Sequence, residues 1–245
     1  MKCIVHVSPA NLDELYFTSK TIVVIDVLRA SNTIITALNN GARDIVPVGS
    51  IEFAVKVSGG MFGGHTLLGG ERNTKRIDGF ALGNSPLEYT EEIVSGKSIV
   101  FYTTNGSKAI AKAKFSDNLF VCSFSNISAL AEHLVRLNLD FEILCAGRNN
   151  SFSMEDSICA GKLIDRIQES DGELVLNDSS TACLSLYRIY RSDIFEMLKN
   201  SDHGKLLIEN GFEEDLKICS EVDNAKVIPF FKENVVKLMQ NNKSS

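Results

Sequence analysis

The chain has 245 residues, 44% apolar and 23% charged with 4 prolines, which gives it enough apolar material for a substantial core and makes disorder or a collagen-like structure implausible. A formal net charge of -6 and a pI near 5.3 argue against a broad nucleic-acid surface, while leaving room for the local basic pocket that a small anion needs. No apolar run reaches bilayer length. Met1 to Val7 reads as a strand rather than a secretion signal, and Cys3, Cys122, Cys145, Cys159, Cys183 and Cys219 form no C-x-x-C pair. We therefore expect a cytoplasmic protein with reduced core thiols and no nucleic-acid or membrane partner, and on base rates alone a homodimer.

In chain order, residues 1–7 and 22–25 read as strands, 31–40 as a helix stopped by Gly41, and 44–48 as the next strand. Gly59-Gly60-Met61-Phe62-Gly63-Gly64-His65 breaks both periodicities. Residues 67–72 then read as a strand end entering a loop that lasts to about Pro86, and a loop so long in a compact domain is usually functional. A short helix at 88–95, a strand at 98–102, a helix at 107–113 and a strand at 119–122 follow, and 128–137, 141–145 and 154–167 continue as helix, strand and helix. This alternation is the signature of a sheet covered by helices. After Gly172 the pattern turns helical, at 182–199 and 204–210, before a late strand at 227–231. No linker interrupts it, so residues 1–245 read as one α/β domain or two closely packed halves.

Three segments share one arrangement, an apolar run that ends in polar residues and opens into a helix. They are Ile22-Val23-Val24-Ile25-Asp26, Ser98-Ile99-Val100-Phe101-Tyr102 before Thr103-Thr104-Asn105-Gly106-Ser107, and Phe141-Glu142-Ile143-Leu144-Cys145 before Arg148 and Ser153-Met154-Glu155-Asp156. In an open parallel sheet such strand ends share one edge, where ligands bind. The site would gather carboxylates, arginines, hydroxyls and helix N-termini, a set suited to a metal ion beside an oxygen-rich anion such as phosphate.

Asp26 is the sharpest candidate, because a carboxylate at the end of a buried strand needs a partner. Magnesium is one; an ion pair with Arg29 or a cap for the following helix is the other. Glu155 and Asp156 open a helix, where the dipole favours negative charge regardless of function, yet they equally offer hard oxygen ligands or a base for water. Glu71 and Arg72 follow two glycines that allow close backbone approach to a ligand; they serve either as metal ligand and anion clamp or as a surface pair. Thr103 to Ser107 is either a phosphate cradle or only a helix cap.

Several chemistries lack their residues. A phospho-aspartyl mechanism needs a second Asp two positions after Asp26, where Leu28 stands; a cysteine phosphatase needs an Arg six after its nucleophile, where Cys145 has Ser151 and Cys122 has Ser128. Arg-His-Gly, the P-loop and a strand-linked dinucleotide fingerprint do not occur. Water activated by a divalent cation remains.

Taken together, Asp26-Val27-Leu28-Arg29-Ala30-Ser31, Gly70-Glu71-Arg72, Gly79-Phe80-Ala81-Leu82-Gly83-Asn84-Ser85-Pro86-Leu87-Glu88-Tyr89, Thr103-Thr104-Asn105-Gly106, Cys145-Ala146-Gly147 and Phe152-Ser153-Met154-Glu155-Asp156 resemble the 2-phosphosulfolactate phosphatase family. The likeness is ordered from Asp26 to about Gly161 and weaker beyond. It implies a three-layer α/β/α sandwich with a largely parallel or mixed central sheet. It also implies a magnesium-dependent hydrolase that converts 2-phospho-3-sulfolactate to 3-sulfolactate, a step of coenzyme M biosynthesis.

Carried onto this chain, the resemblance makes Asp26, Glu71, Glu155 and Asp156 candidate Mg²⁺ ligands and Asp26, Arg29, Glu71, Arg72 and Asp156 candidate catalytic residues. Ser31, Asn84, Ser85, Thr103, Thr104, Asn105, Gly106 and Arg148 become candidates for binding a small phosphorylated and sulfonated substrate. In this mechanism Mg²⁺, held by Asp26 and at least one of the other acids, polarises a phosphoryl oxygen and activates water, and arginines stabilise the transferring group. Ser31-Asn32 and Arg148-Asn149-Asn150 depart from the family pattern and bear on substrate preference. A non-catalytic binder of such a metabolite, and a phosphatase for another 2-phospho-hydroxy acid, are the competing readings.

Overall fold

The structure, a computed structural model, describes residues 1–61, 66–170 and 173–239. Strands β1 (Lys2–His6) and β2 (Thr21–Ile25) are followed by α1 (Ala30–Asn39), β3 (Asp44–Pro47), α2 (Ile51–Met61) and β4 (Thr66–Arg72). A return strand β5 (Lys75–Arg76) and the short α3 (Glu91–Val94) lead to β6 (Ser98–Tyr102), α4 (Gly106–Lys112), β7 (Asn118–Cys122), α5 (Ile127–Leu137), β8 (Phe141–Cys145) and α6 (Met154–Glu169). The last third holds β9 (Val175–Leu176), α7 (Asp178–Tyr190), α8 (Ile194–Asn200), α9 (Asp202–Glu209), α10 (Glu213–Ser220), β10 (Pro229–Lys232) and β11 (Val235–Leu238).

The apolar runs become strands buried on both faces, as parallel strands under helices must be. In β2, Ile22 and Val24 pack on one side and Val23 and Ile25 on the other, each fully buried and each contributing about 1.5–3 kcal/mol. Helices α1 and α4 cover the first face, while α2 and the α5 to α10 group cover the second. The result is a three-layer α/β/α fold.

Among the described residues the sheet is mixed, with eleven strands in the order β5-β4-β6-β3-β11-β10-β7-β2-β8-β1-β9. The hairpin of β10 and β11 pairs antiparallel with β7 and β3 and joins two parallel groups. It reverses their sense, so in a flat sheet the carboxyl ends of β2 and β4 would leave by opposite edges. Strand twist of about 20–25° per step turns the six steps from β4 to β2 through roughly 120–150°. One apolar cluster joins Ile45, Ile99 and Phe101 from one group, Val24 and Val121 from the other, and Ala30, Ile34 and Ala109 from α1 and α4. Wrapped around these two helices, the sheet delivers both sets of strand ends to one place.

Four expectations change. The open parallel edge is instead the twisted junction just described. The break placed at residues 59–65 lies partly outside the described residues, and α2 runs through Gly59 and Gly60 to Met61. The helix expected at 182–199 is two, because the Asp193 side chain accepts from Glu196 N and starts α8 afresh. Finally, α2, β5, β9, α10 and β11 were not anticipated.

Candidate active site

Asp26 leaves β2 directly into the turn that starts α1. Its Oδ1 accepts from Ala30 N at 3.2 Å, and its own N–H donates to Ser31 Oγ at 2.9 Å. No hydrogen bond to Oδ2 occurs among the described residues. Gly106, the first residue of α4, packs against this carboxylate so closely that a Cβ would lie 2.5 Å from both Oδ2 and Ala30 Cβ. The N-termini of α1 and α4 therefore meet at Asp26. Burial pushes the Asp26 carboxyl up to about 6, helped by Glu71 and Glu155 and opposed by His203 and the Ala30 N–H.

Around this point lies a cavity of about 550 Å³. It is lined by Asp26, Arg29, Glu71, Arg72, Asn84, Thr104, Asn105 and Arg148 among the expected residues, and by Asn73, Lys75, His203 and Asn210 among the unexpected. A neighbouring recess shares Arg148, Asn149 and His203 and adds Glu155.

Other expected residues sit beside the cavity and shape it. Ser31 holds the Asp26 turn. Thr103 and Ser107 cap one another, with Thr103 N donating to Ser107 Oγ and Ser107 N to Thr103 Oγ1. Asp156 is buried and accepts from Val27 N at 2.8 Å and Gly147 N at 3.0 Å, stapling the ends of β2 and β8. Burial, then Asp26 and Glu155, raise its carboxyl well above the usual range. Glu71 likewise accepts from Thr104 N at 2.7 Å and Thr74 N at 2.9 Å.

Arg29 is also committed. Its buried guanidinium donates to Asp215 Oδ2 at 2.5 Å and Thr74 O at 2.8 Å, and it lies 4.2 Å from the Phe212 ring centroid. Asp215 also accepts from Ser85 Oγ at 2.6 Å, which turns Ser85 away from the cavity lining. The 79–89 segment is scaffolding for Asn84. Glu88 accepts from Gly83 N at 2.8 Å and Tyr89 Oη donates to Gly83 O at 2.6 Å. A side chain at Gly69 would collide with the Tyr89 hydroxyl.

Glu155 faces His203, with Oε1 3.5 Å from Nδ1. Sequence reading missed His203 and Asp215. His203 offered one signal, its place at the start of a helix capped by Ser201; Asp215 was hidden in an acidic first turn that the helix dipole explains by itself.

The acids at the centre do not form a metal cage: among the described residues no group of three His, Cys, Asp or Glu side chains is placed to hold an ion. Magnesium, however, keeps most of its water and commonly takes one or two carboxylates together with substrate phosphate. Asp26, buried with one oxygen free of hydrogen bonds, fits that role.

Fold and cavity together describe an α/β/α protein whose polar cavity, rimmed by Arg72, Lys75 and Arg148, suits a small, oxygen-rich anion. The chain is similar to known proteins over nearly its whole length. The sequence model described as 2-phosphosulpholactate phosphatase matches residues 7–234. A probable 2-phosphosulfolactate phosphatase of Symbiobacterium thermophilum is 40% identical over 236 residues, 96% of this chain and 100% of that protein. Another, of Thermotoga maritima, is 43% identical over 211 residues, 86% of this chain and 88% of that one. The chain belongs to the 2-phosphosulfolactate phosphatase family.

Proposed function

We propose that this protein hydrolyses 2-phospho-3-sulfolactate to 3-sulfolactate and phosphate, with Mg²⁺ as cofactor. The observation that carries this reading is the meeting of buried Asp26 with the α1 and α4 N-termini in a cavity rimmed by Arg72, Lys75 and Arg148, within a chain of this family. Bound magnesium would supply Lewis-acid polarisation of a phosphoryl oxygen and a more acidic water. Asp26 would hold it, with Glu155 or Glu71 as second ligand. The Thr104 hydroxyl, which has no hydrogen-bond partner among the described residues, and the Asn105 side chain would orient phosphate oxygens, and Arg148 would balance their charge. Asp156 would keep the β2 and β8 ends in register through its two backbone hydrogen bonds.

No helix among the described residues is long and apolar enough to cross a membrane, and all six cysteines are free and buried. The free thiols support a reducing, cytoplasmic setting. The homodimer and the coenzyme M pathway belong to this reading as expectations.

The test is phosphate release from racemic 2-phospho-3-sulfolactate and 2-phospholactate, with Mg²⁺ and with EDTA. Release that needs Mg²⁺ and favours the sulfonated ester is expected. No release from either ester by folded protein would contradict the reading and leave a binding role.

A further inference from the structure

The tip of the β4 and β5 hairpin places two cations directly opposite each other. Arg72 and Lys75 are register partners across it, and both line the cavity. Like charges facing across a ladder repel and weaken it, and this hairpin has only two register pairs to hold it. Neither cation joins an ion pair among the described residues. The nearest carboxylate along the chain, Glu71, is occupied by two backbone N–H groups.

The turn between them is held firmly. Asn73 and Thr74 have φ of 54° and 69°, the left-handed pair of a two-residue hairpin turn that ordinarily prefers Asn-Gly. Thr74 is β-branched and resists that conformation. Its N–H is nevertheless gripped by Glu71 Oε2 at 2.9 Å and its carbonyl by Arg29 Nη2 at 2.8 Å. Two buried charged residues thus fix a turn whose visible effect is to hold Arg72 and Lys75 at the cavity mouth. On the same cavity wall Asn84 is 5% exposed, yet its Oδ1 has no hydrogen-bond partner among the described residues. The opposed cations indicate an anionic ligand, whereas Asn84 Oδ1, an acceptor, calls for a hydrogen-bond donor such as water beside it.

The reacting phosphate must reach Asp26, which is buried, whereas Arg72 and Lys75 are exposed at the rim. The rim therefore suits an anion that does not react. We propose that Arg72 and Lys75 form a two-cation clamp for the sulfonate of the substrate, and that Lys75 determines the preference for sulfonated over unsulfonated phosphoesters. This rests on the phosphatase reading above. A sulfonate stays ionised and presents three oxygens, enough for both a guanidinium fork and an ammonium.

The test is the ratio of kcat/KM for 2-phospho-3-sulfolactate to that for 2-phospholactate, which lacks the sulfonate and keeps the carboxylate. Lys75→Gln should lower this ratio at least tenfold, mainly through KM for the sulfonated ester, and Lys75→Arg should restore most of it. Arg76→Gln, one position along and outside the cavity lining, should leave the ratio as it is. An unchanged ratio in Lys75→Gln would overturn the proposal. So would an equal loss on both esters, which would assign the clamp to the carboxylate they share.

Calorimetric binding of 3-sulfolactate and of lactate reads the same subsite without turnover. Lys75→Gln should weaken 3-sulfolactate at least tenfold and leave lactate unaffected. If the unaltered protein released no phosphate from either ester, the phosphatase reading would fall, and this binding difference alone would decide for or against the clamp.

Discussion

Replacing Asp215 by Asn should expose how much of the site depends on one buried ion pair. Arg29 and Asp215 are each 2% exposed and meet at 2.5 Å. The amide keeps the shape and removes the charge, which strands the Arg29 guanidinium in the interior. Breaking a buried pair in this way costs about 3–5 kcal/mol. With a urea slope of about 3 kcal/mol/M, the unfolding midpoint should fall by roughly 1–1.7 M.

The double variant Arg29→Met with Asp215→Leu strands no charge. It gives up the bonds to Thr74 O and from Ser85, about 1–2 kcal/mol. It should therefore be more stable than Asp215→Asn alone, while phosphate release stays low because nothing grips the Thr74 carbonyl. Equilibrium urea unfolding of the three proteins reads this directly. A shift below about 0.3 M in the single variant, or strictly additive losses in the double, would refute the reasoning, since coupled partners must show an interaction energy.

Gly106→Ala would put a methyl 2.5 Å from Asp26 Oδ2; a cost of about 1–3 kcal/mol in thermal unfolding and at least a tenfold loss of phosphate release are expected. Far from the cavity, Glu142 accepts from His6 Nε2 at 2.6 Å, Lys20 Nζ at 2.8 Å and Tyr16 Oη at 3.0 Å. Burial alone would raise its carboxyl, but these partners outweigh it and bring it from 4.5 down to about 2. The stabilisation is therefore present above about pH 4.5 and lost as the pH falls toward 2. Glu142→Gln should cost about 1–3 kcal/mol at pH 7, a range that allows for the partial exposure of Lys20, and the two melting curves should converge only as the pH approaches about 2.

The strand carrying Asp26 was legible because an unbroken apolar run that ends in a carboxylate fits little else than a buried strand emerging at a sheet edge. The same logic found β6 with Thr104 and β8 with Arg148. What the pattern could not convey was pairing over long distances. The β10 and β11 hairpin sits between β3 and β7 although it lies more than a hundred residues from β7 in sequence, and that insertion, through sheet twist, assembles the site. Arg29 looked free to bind an anion because its partner, Asp215, is 186 residues away. Lys75 stood in a stretch read as loop, where a two-residue turn of Asn and Thr carries no glycine to announce a hairpin. Glu71 and Asp156 stood out in sequence as acids at a strand end and a helix start, but their backbone hydrogen bonds required the folded chain to be seen.

The most direct test is phosphate release from 2-phospho-3-sulfolactate by the unaltered protein and by Asp26→Asn across a Mg²⁺ titration. The substitution removes the free carboxylate oxygen and keeps the side-chain shape. We expect magnesium-dependent release by the unaltered protein and at least a hundredfold lower turnover in Asp26→Asn that added Mg²⁺ does not restore. Equal turnover and equal magnesium dependence in both proteins would contradict the account, because the chemistry would then lie away from the edge where β2 and α4 meet.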